Sequence, residues 1–512
     1  MDYLKEMLSI VNKNKTKHIE VLGQDQAKER KLYQLYDGII NGDYKSDGQA
    51  CRQLYGTNDL SKGYRNLKSR LEKRALNSLF FIDVNSSSFS DSQKAFYNCY
   101  KNLAAVKFLL GRGARKSSMK LAEKTLKQSL NYDLHDVSIP LLKDLRVYYG
   151  TLVGDQKKMK KYNKLLRQLL ADNRYEERAR EMYDTLASQF VHSKTIKPFH
   201  VKMAKEYSEE LEEYLDKTSY SNFHFYAHLI LVLRYEIEND YKKAVNACDR
   251  ALSYLEKIER YKINHKFTFL FKKFTSLIQI KQYKEADEHA QQCFNFVDEG
   301  SFNWFLTAQF YIVLLFHSAK TQEAFDFYRR VKAIRKKKKI RSDVKEEFWN
   351  IIEAFIDYFI TVGKIQLPAH KRRPRFDSET FIKSVPAFAK DKRGMNVTIL
   401  VLQILFFLNE NDTNEVINRT ETLKTYTTRY LRNDANFRSN CFIKMLSKIS
   451  EANFNRIALR RRTDITFESL KSKPLEITNQ PVETEIVPFE VLWDLILASL
   501  DSTKPIKSKR RG

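Results

Sequence analysis

Two histidines four residues apart, His224 and His228, come nearest in this sequence to a metal-ligand pair, because that spacing places two imidazoles on one face of a helix. Their neighbours Phe223, Phe225, Tyr226 and Leu229 supply no carboxylate to complete a coordination shell. Both are therefore expected to be core or partner-facing histidines, with no metal and no cofactor. Gly111-Arg-Gly-Ala-Arg-Lys116 sets two glycines and three cations ahead of a helix. Such a pattern can receive a phosphate on backbone amides, and more often it is a turn with a solvated face. The acid pairs Glu209-Glu210 and Glu212-Glu213 alternate with Lys205 and Lys217 as i,i+4 helix partners do. No Gly-x-x-x-x-Gly-Lys-Ser/Thr loop, Gly-x-Ser-x-Gly elbow or His-Glu-x-x-His occurs, and no nucleophile, base and orienting group stand together. The chain is expected not to be an enzyme.

Cationic runs are the strongest polar signal. They are Arg335, Lys336, Lys337, Lys338, Lys339 and Arg341; Lys371, Arg372, Arg373 and Arg375; Arg460, Arg461 and Arg462; and the tail Lys509-Arg-Arg511. A single run is usually a solvated face, but four of them between residues 335 and 511, at helix ends, loops or tails, suit an acidic protein or a nucleic acid. The overall balance, 90 Lys and Arg against 63 Asp and Glu for a formal +27, favours acidic partners whatever the fold.

The amino end offers a second route to nucleic acid. Helical patterns over residues 26–40, 48–55 and 60–80, the last carrying Arg65, Lys68, Arg70, Lys73 and Arg74, could form a helix-turn-helix reader. At about 100° per residue those five cations fan broadly around the helix. Leu67, Leu71 and Ala75 form its apolar back, and the two leucines are expected to pack onto the helix that begins at Gln93.

These residues need a frame. A chain of 512 residues exceeds one ordinary core, and 34 Phe and 28 Tyr against 14 Gly and 9 Pro favour long packed helices. Cys51, Cys99, Cys248, Cys293 and Cys441 are odd in number, contain no Cys-x-x-Cys pair and sit in apolar helical patterns, as reduced thiols of the cytoplasm do. The first 17 residues lack the apolar stretch of a secretory signal. The most apolar window, residues 397–408, is too short for a bilayer, so no membrane contact is expected.

An internal repeat organises the middle of the chain. Asn239-Asp-Tyr-Lys-Lys-Ala-Val-Asn-Ala-Cys-Asp-Arg-Ala251 is echoed by Lys281-Gln-Tyr-Lys-Glu-Ala-Asp-Glu-His-Ala-Gln-Gln-Cys293, and less closely by the segment around Ala324, Tyr328 and Val331. Ala244, Ala286 and Ala324 mark the same place, so the copies recur after 42 and then 38 residues. In the first two copies small residues follow at +4 and +7, as Ala244, Cys248, Ala251 and Ala286, Ala290, Cys293 show. This stripe admits a second helix at close range. Tyr241 and Tyr283, three residues before the alanine, can plug the turn.

The register of Tyr241, Ala244, Cys248 and Ala251 resembles the second helix of the tetratricopeptide repeat, best over residues 223–337. The resemblance implies an all-α, right-handed helical-repeat superhelix, an irregular α-solenoid that binds a protein or peptide partner. Val232, Phe274 and Ile312 replace the small residue of the first helix and the closing proline is missing, which implies longer helices. Expected divisions are an amino-terminal helical segment (1–84), tetratricopeptide-like repeats (85–366), further repeats after a basic Pro-containing loop (367–462), and a capping segment (463–512). The expected function is a cytoplasmic interaction scaffold; the alternative is a nucleic-acid-binding regulator with sensor repeats.

Overall fold

The computed structural model describes residues 3–5, 7–8, 29–57, 60–84, 90–192, 198–257, 263–338, 343–367, 381, 396–430, 437–473, 475 and 485–501. Among these residues all regular structure is helical. The chain forms two compact units, Met1–Ala171 and Asp172–Gly512. This division does not coincide with the boundaries expected after residues 84, 366 and 462.

The amino-terminal unit begins with α1 (Arg30–Ile40), α2 (Asp47–Tyr55) and α3 (Lys62–Ser78), which pack on one another. Ser46 and Ser61 start α2 and α3, their hydroxyls accepting from the amides of Gln49 and Tyr64. Leu67 and Leu71 correct one expectation. They join Leu32, Leu35, Ile39, Ala50 and Cys51 in a core of their own and do not pack on the helix after Gln93. The apolar stripes of α1 and α2 already face them across short turns.

Two helix pairs follow in this unit: α4 (Asp91–Gly111) with α5 (Arg115–Asn131), then α6 (His135–Val147), a single π turn (Tyr148–Val153) and α7 (Gln156–His192). Ser90 and Gln93 form a reciprocal capping box on α4. No break falls between Ala171 and Glu176, and α7 runs unbroken for 37 residues. No glycine or proline interrupts it, and Leu166, Leu169, Ala179, Met182 and Leu186 keep a buried stripe along its length.

The carboxy-terminal unit contains the rest of α7 and then α8 (Pro198–Glu212), α9 (Ser221–Ile237), α10 (Tyr241–Glu256), α11 (Ile263–Gln279), α12 (Tyr283–Asn295), α13 (Phe302–His317), α14 (Thr321–Lys338), α15 (Asp343–Thr361), α16 (Asn396–Glu410), α17 (Thr413–Tyr430), α18 (Phe437–Glu451), α19 (Arg456–Lys471) and α20 (Phe489–Asp501). Neighbouring helices from α8 to α14 pack in sequence. Ala244, Cys248, Ala251, Ala286, Ala290, Cys293 and Ala324 are each 0% exposed, so the small-residue stripes lie against helices. Tyr241 is buried and Tyr283 half-buried at the turns. The first helix of each pair is enclosed more fully than the second: α9 buries Leu229 through Leu233 without interruption, and α13 buries Ile312 through His317.

One turn recurs between helices. Asn239, Lys281, Ala319 and Asn411 adopt φ of 57°, 62°, 60° and 59°. The following amide then reaches back across the last helical turn, as Asp240 to Tyr235, Gln282 to Leu277, Lys320 to Leu315 and Asp412 to Phe407, at 2.8–3.0 Å. This closure satisfies carbonyls that the helix end would leave bare. Asp133, at φ 51°, makes the same turn between α5 and α6.

The carboxyl end is closed by a buried charge cluster. Arg438 is 0% exposed and donates to Glu485 at 2.8 and 2.9 Å, to Glu490 at 2.7 Å and to the Leu470 carbonyl at 2.6 Å. The Nε2 of His317, on α13, lies 2.7 Å from the Glu485 carbonyl. Burial opposes charge on Glu485, yet Arg438 outweighs it and holds the carboxyl below its ordinary value. The helix α19 continues past Arg462 to Lys471, because Thr463 and Leu470 are buried on its inner face and no proline comes before Pro474.

Candidate polyanion interface

Of the cationic runs expected to bind polyanions, only part lies among the described residues. Arg335 and Lys336 are in the last turns of α14, where the Arg335 guanidinium sits 5.1 Å from the centroid of the Trp349 ring and Lys336 is exposed. The backbone of Lys337 and Lys338 ends that helix. Lys339, Arg341, Lys371, Arg372, Arg373, Arg375 and the tail cations Lys509, Arg510 and Arg511 lie outside the described residues. Arg460, Arg461 and Arg462 are exposed on α19, and Arg462 donates to the Glu451 carbonyl at 2.6 Å. Lys424 and Lys448 also pair with the Glu451 carboxylate, at 3.9 and 2.7 Å.

On α3 the five cations are not displayed together. Lys68 pairs with Asp47 at 3.0 Å, and Arg74 forms a two-pronged bridge to Glu29. Arg65, Arg70 and Lys73 remain exposed. Burial opposes charge on Asp47, but hydrogen bonds from Tyr64 and Lys68 pull its carboxyl down to about 2, so the Lys68 pair persists at neutral pH.

A denser surface comes from residues outside the conspicuous runs. On α5, Lys116, Lys120, Lys124 and Lys127 are all exposed, and at about 100° per residue they fall within an arc of about 80°. On α7, Lys157, Lys161 and Lys164 share an arc of about 60°, flanked by Lys158, Lys160 and Arg167, all exposed. Glu123 is the lone carboxylate on α5, and the part of α7 before Asp172 carries none.

Glu123 also shows how the two helices meet. Its carboxylate accepts from the Tyr162 hydroxyl at 2.8 Å and the Tyr149 hydroxyl at 2.9 Å, and lies 3.5 Å from the Lys158 ammonium. Burial works against the charge, and these donors overcome it and hold the carboxyl below its usual value. Glu123 is thus paired in place. Beneath the surface, Met119, Ala122 and Leu126 of α5 share a core with Tyr162, Leu166 and Leu169 of α7. The two helices therefore meet at the level of Glu123, each with its lysine row on an exposed face.

The Gly111–Lys116 turn borders this face. Gly113 takes φ +76° and Ala114 caps α5 with no side-chain bond, while Arg112, Arg115 and Lys116 are exposed. The α5 and α7 rows were legible only as ordinary lysines at i,i+3 and i,i+4. A signal for them was the near absence of acids on α5 and on α7 before Asp172.

His224 and His228 are 3% and 4% exposed. His224 places Nε2 2.7 Å from the Thr218 carbonyl and stacks on Tyr254 at 3.9 Å. Burial lowers both pKa values, that of His228 to about 3. Among the described residues no group of three or more His, Cys, Asp or Glu is placed to hold a metal ion, and no helix is long and apolar enough to cross a membrane. Comparison of the chain with protein-family models, curated proteins and solved structures found no match.

Proposed function

We propose that the chain is a non-catalytic helical-repeat scaffold that holds an acidic macromolecule against the cationic face of α5 and α7. In this reading the helix pairs wind as an irregular right-handed superhelix of the tetratricopeptide kind, in which helices supply rigidity and surfaces supply recognition. The observation that carries the reading is the charge of that face: seven exposed lysines, four on α5 and three on α7, with the one carboxylate on α5, Glu123, already bound to Lys158, Tyr149 and Tyr162. Such a surface raises the local concentration of polyanions and orients them. Five free, buried thiols favour a cytoplasmic setting. The helix-turn-helix alternative draws less support, because Lys68 and Arg74 are engaged within the amino-terminal unit.

Retention on immobilised heparin tests the reading. The variant Lys120→Gln/Lys124→Gln/Lys161→Gln/Lys164→Gln is expected to elute at clearly lower salt than the unmodified protein. Elution at the same salt would remove the basis for placing the partner on this face.

A further inference from the structure

The two-row geometry points to a particular polyanion. We propose that the α5 and α7 face binds the sugar-phosphate backbone of a double-stranded nucleic acid without reading its sequence; this rests on the reading of that face as a polyanion site.

Dimensions favour a duplex. At 1.5 Å per residue, the row from Lys116 to Lys127 spans about 16 Å and the row from Lys157 to Arg167 about 15 Å. Glu123 joins the two helices at one level, 2.8 Å from the Tyr162 hydroxyl and 3.5 Å from the Lys158 ammonium, so two cationic rows and not one border the contact, as the two strands of a duplex require. Over 15 Å a B-form duplex carries about nine phosphates on its two strands, of which roughly half face one side. Seven lysines at the centre of the face suffice to meet them.

Side-chain chemistry argues against the other polyanions. A single-strand platform needs exposed aromatic rings for bases to stack on. Here Tyr149 and Tyr162 are turned inward with both hydroxyls on Glu123. A specific protein interface concentrates large apolar or aromatic anchors at its centre, and a lipid surface takes apolar side chains into the headgroup layer. None of the exposed large apolar residues lies between 116 and 127 or between 157 and 167. The seven central lysines are point charges that hold phosphates without the planar fork by which arginine reads guanine, and Arg112, Arg115 and Arg167 lie only at the margins of the rows.

Fluorescence anisotropy with the full chain tests this. The probes are labelled 24-base-pair DNA duplexes of two unrelated sequences, an RNA duplex, the matching single strand and polyglutamate, from 50 to 300 mM salt. At least one type of duplex should bind more tightly than the single strand, and the two DNA sequences should bind alike. For B-DNA the slope of log K against log salt should flatten by about 3 to 4 in Lys120→Gln/Lys124→Gln/Lys161→Gln/Lys164→Gln, near 0.9 per lost contact. The equally charged control Lys202→Gln/Lys242→Gln/Lys257→Gln/Lys281→Gln, altered at exposed sites of the other unit, should keep the original slope. Single-strand binding equal to or above duplex binding, or equal flattening by the control, overturns the proposal. Binding of polyglutamate alone, lost in the α5/α7 variant, overturns the duplex assignment and leaves the acidic-partner function standing. Failure to bind any of these probes overturns both.

Discussion

Replacing His228 by leucine should change how the protein responds to acid. His228 is 4% exposed, with the rings of Tyr254, His224 and Phe269 at 5.7, 6.0 and 6.5 Å. Burial first, and then the positive charges of His224 and Arg250, push its pKa down to about 3. The unfolded chain binds the same proton near pH 6.5. The folded value is depressed, so the stability it supports is fully present above about pH 6.5 and drains away as pH falls toward 3. Each pH unit costs about 1.4 kcal/mol, which is about 2 kcal/mol by pH 5 and about 5 kcal/mol by pH 3. Against a typical stability of about 5–15 kcal/mol, the loss at pH 5 is readily measured. Urea unfolding followed by circular dichroism at pH 7.5, 6.0 and 5.0 compares His228→Leu with the unmodified chain. The variant should gain about 2 kcal/mol relative to the unmodified chain between pH 7.5 and 5.0, while His224, present in both, largely cancels. A stability difference that does not change with pH would refute a neutral, buried imidazole.

Arg438→Met should lower urea stability by about 3–5 kcal/mol, because it strands the buried Glu485 carboxylate, and Arg438→Met/Glu485→Gln should recover part of that loss. Ala286→Leu should cost about 1–3 kcal/mol by overpacking a position that is 0% exposed; an unchanged melting temperature would count against the close helix contact there. The thiols should resist Ellman's reagent at pH 8 in the native protein and all five should react after denaturation, since each is buried and burial pushes Cys99 up to about 11 and Cys293 up to about 12. Rapid reaction of Cys99 or Cys293 in native buffer would contradict their placement.

Much of the helical framework was determined by local pattern. Few glycines and prolines, apolar residues at helical spacing, and the stripe Ala244, Cys248, Ala251 with its echo Ala286, Ala290, Cys293 determine helices and the faces they bury, because each depends on residues within two turns of one another. The positive φ of Lys281 and Ala319 was not legible, since neither residue favours that conformation and the turn is imposed by the helices on either side. Leu67 and Leu71 show the same limit in packing: their pattern specifies an apolar face, and only the fold assigned α1 and α2 as its partners. The candidate site depends still more on tertiary structure. Runs such as Arg335–Lys339 draw attention because their cations are adjacent in the chain, whereas Lys120 and Lys161 belong to different hairpins and read individually as solvated helix surface. Packing between those hairpins decides their proximity: Met119, Ala122 and Leu126 share a core with Tyr162, Leu166 and Leu169, and Glu123 is held between Tyr162 and Lys158. Helical period determines which way each lysine points, but the burial of apolar surface between helices distant in sequence decides which lysines become neighbours.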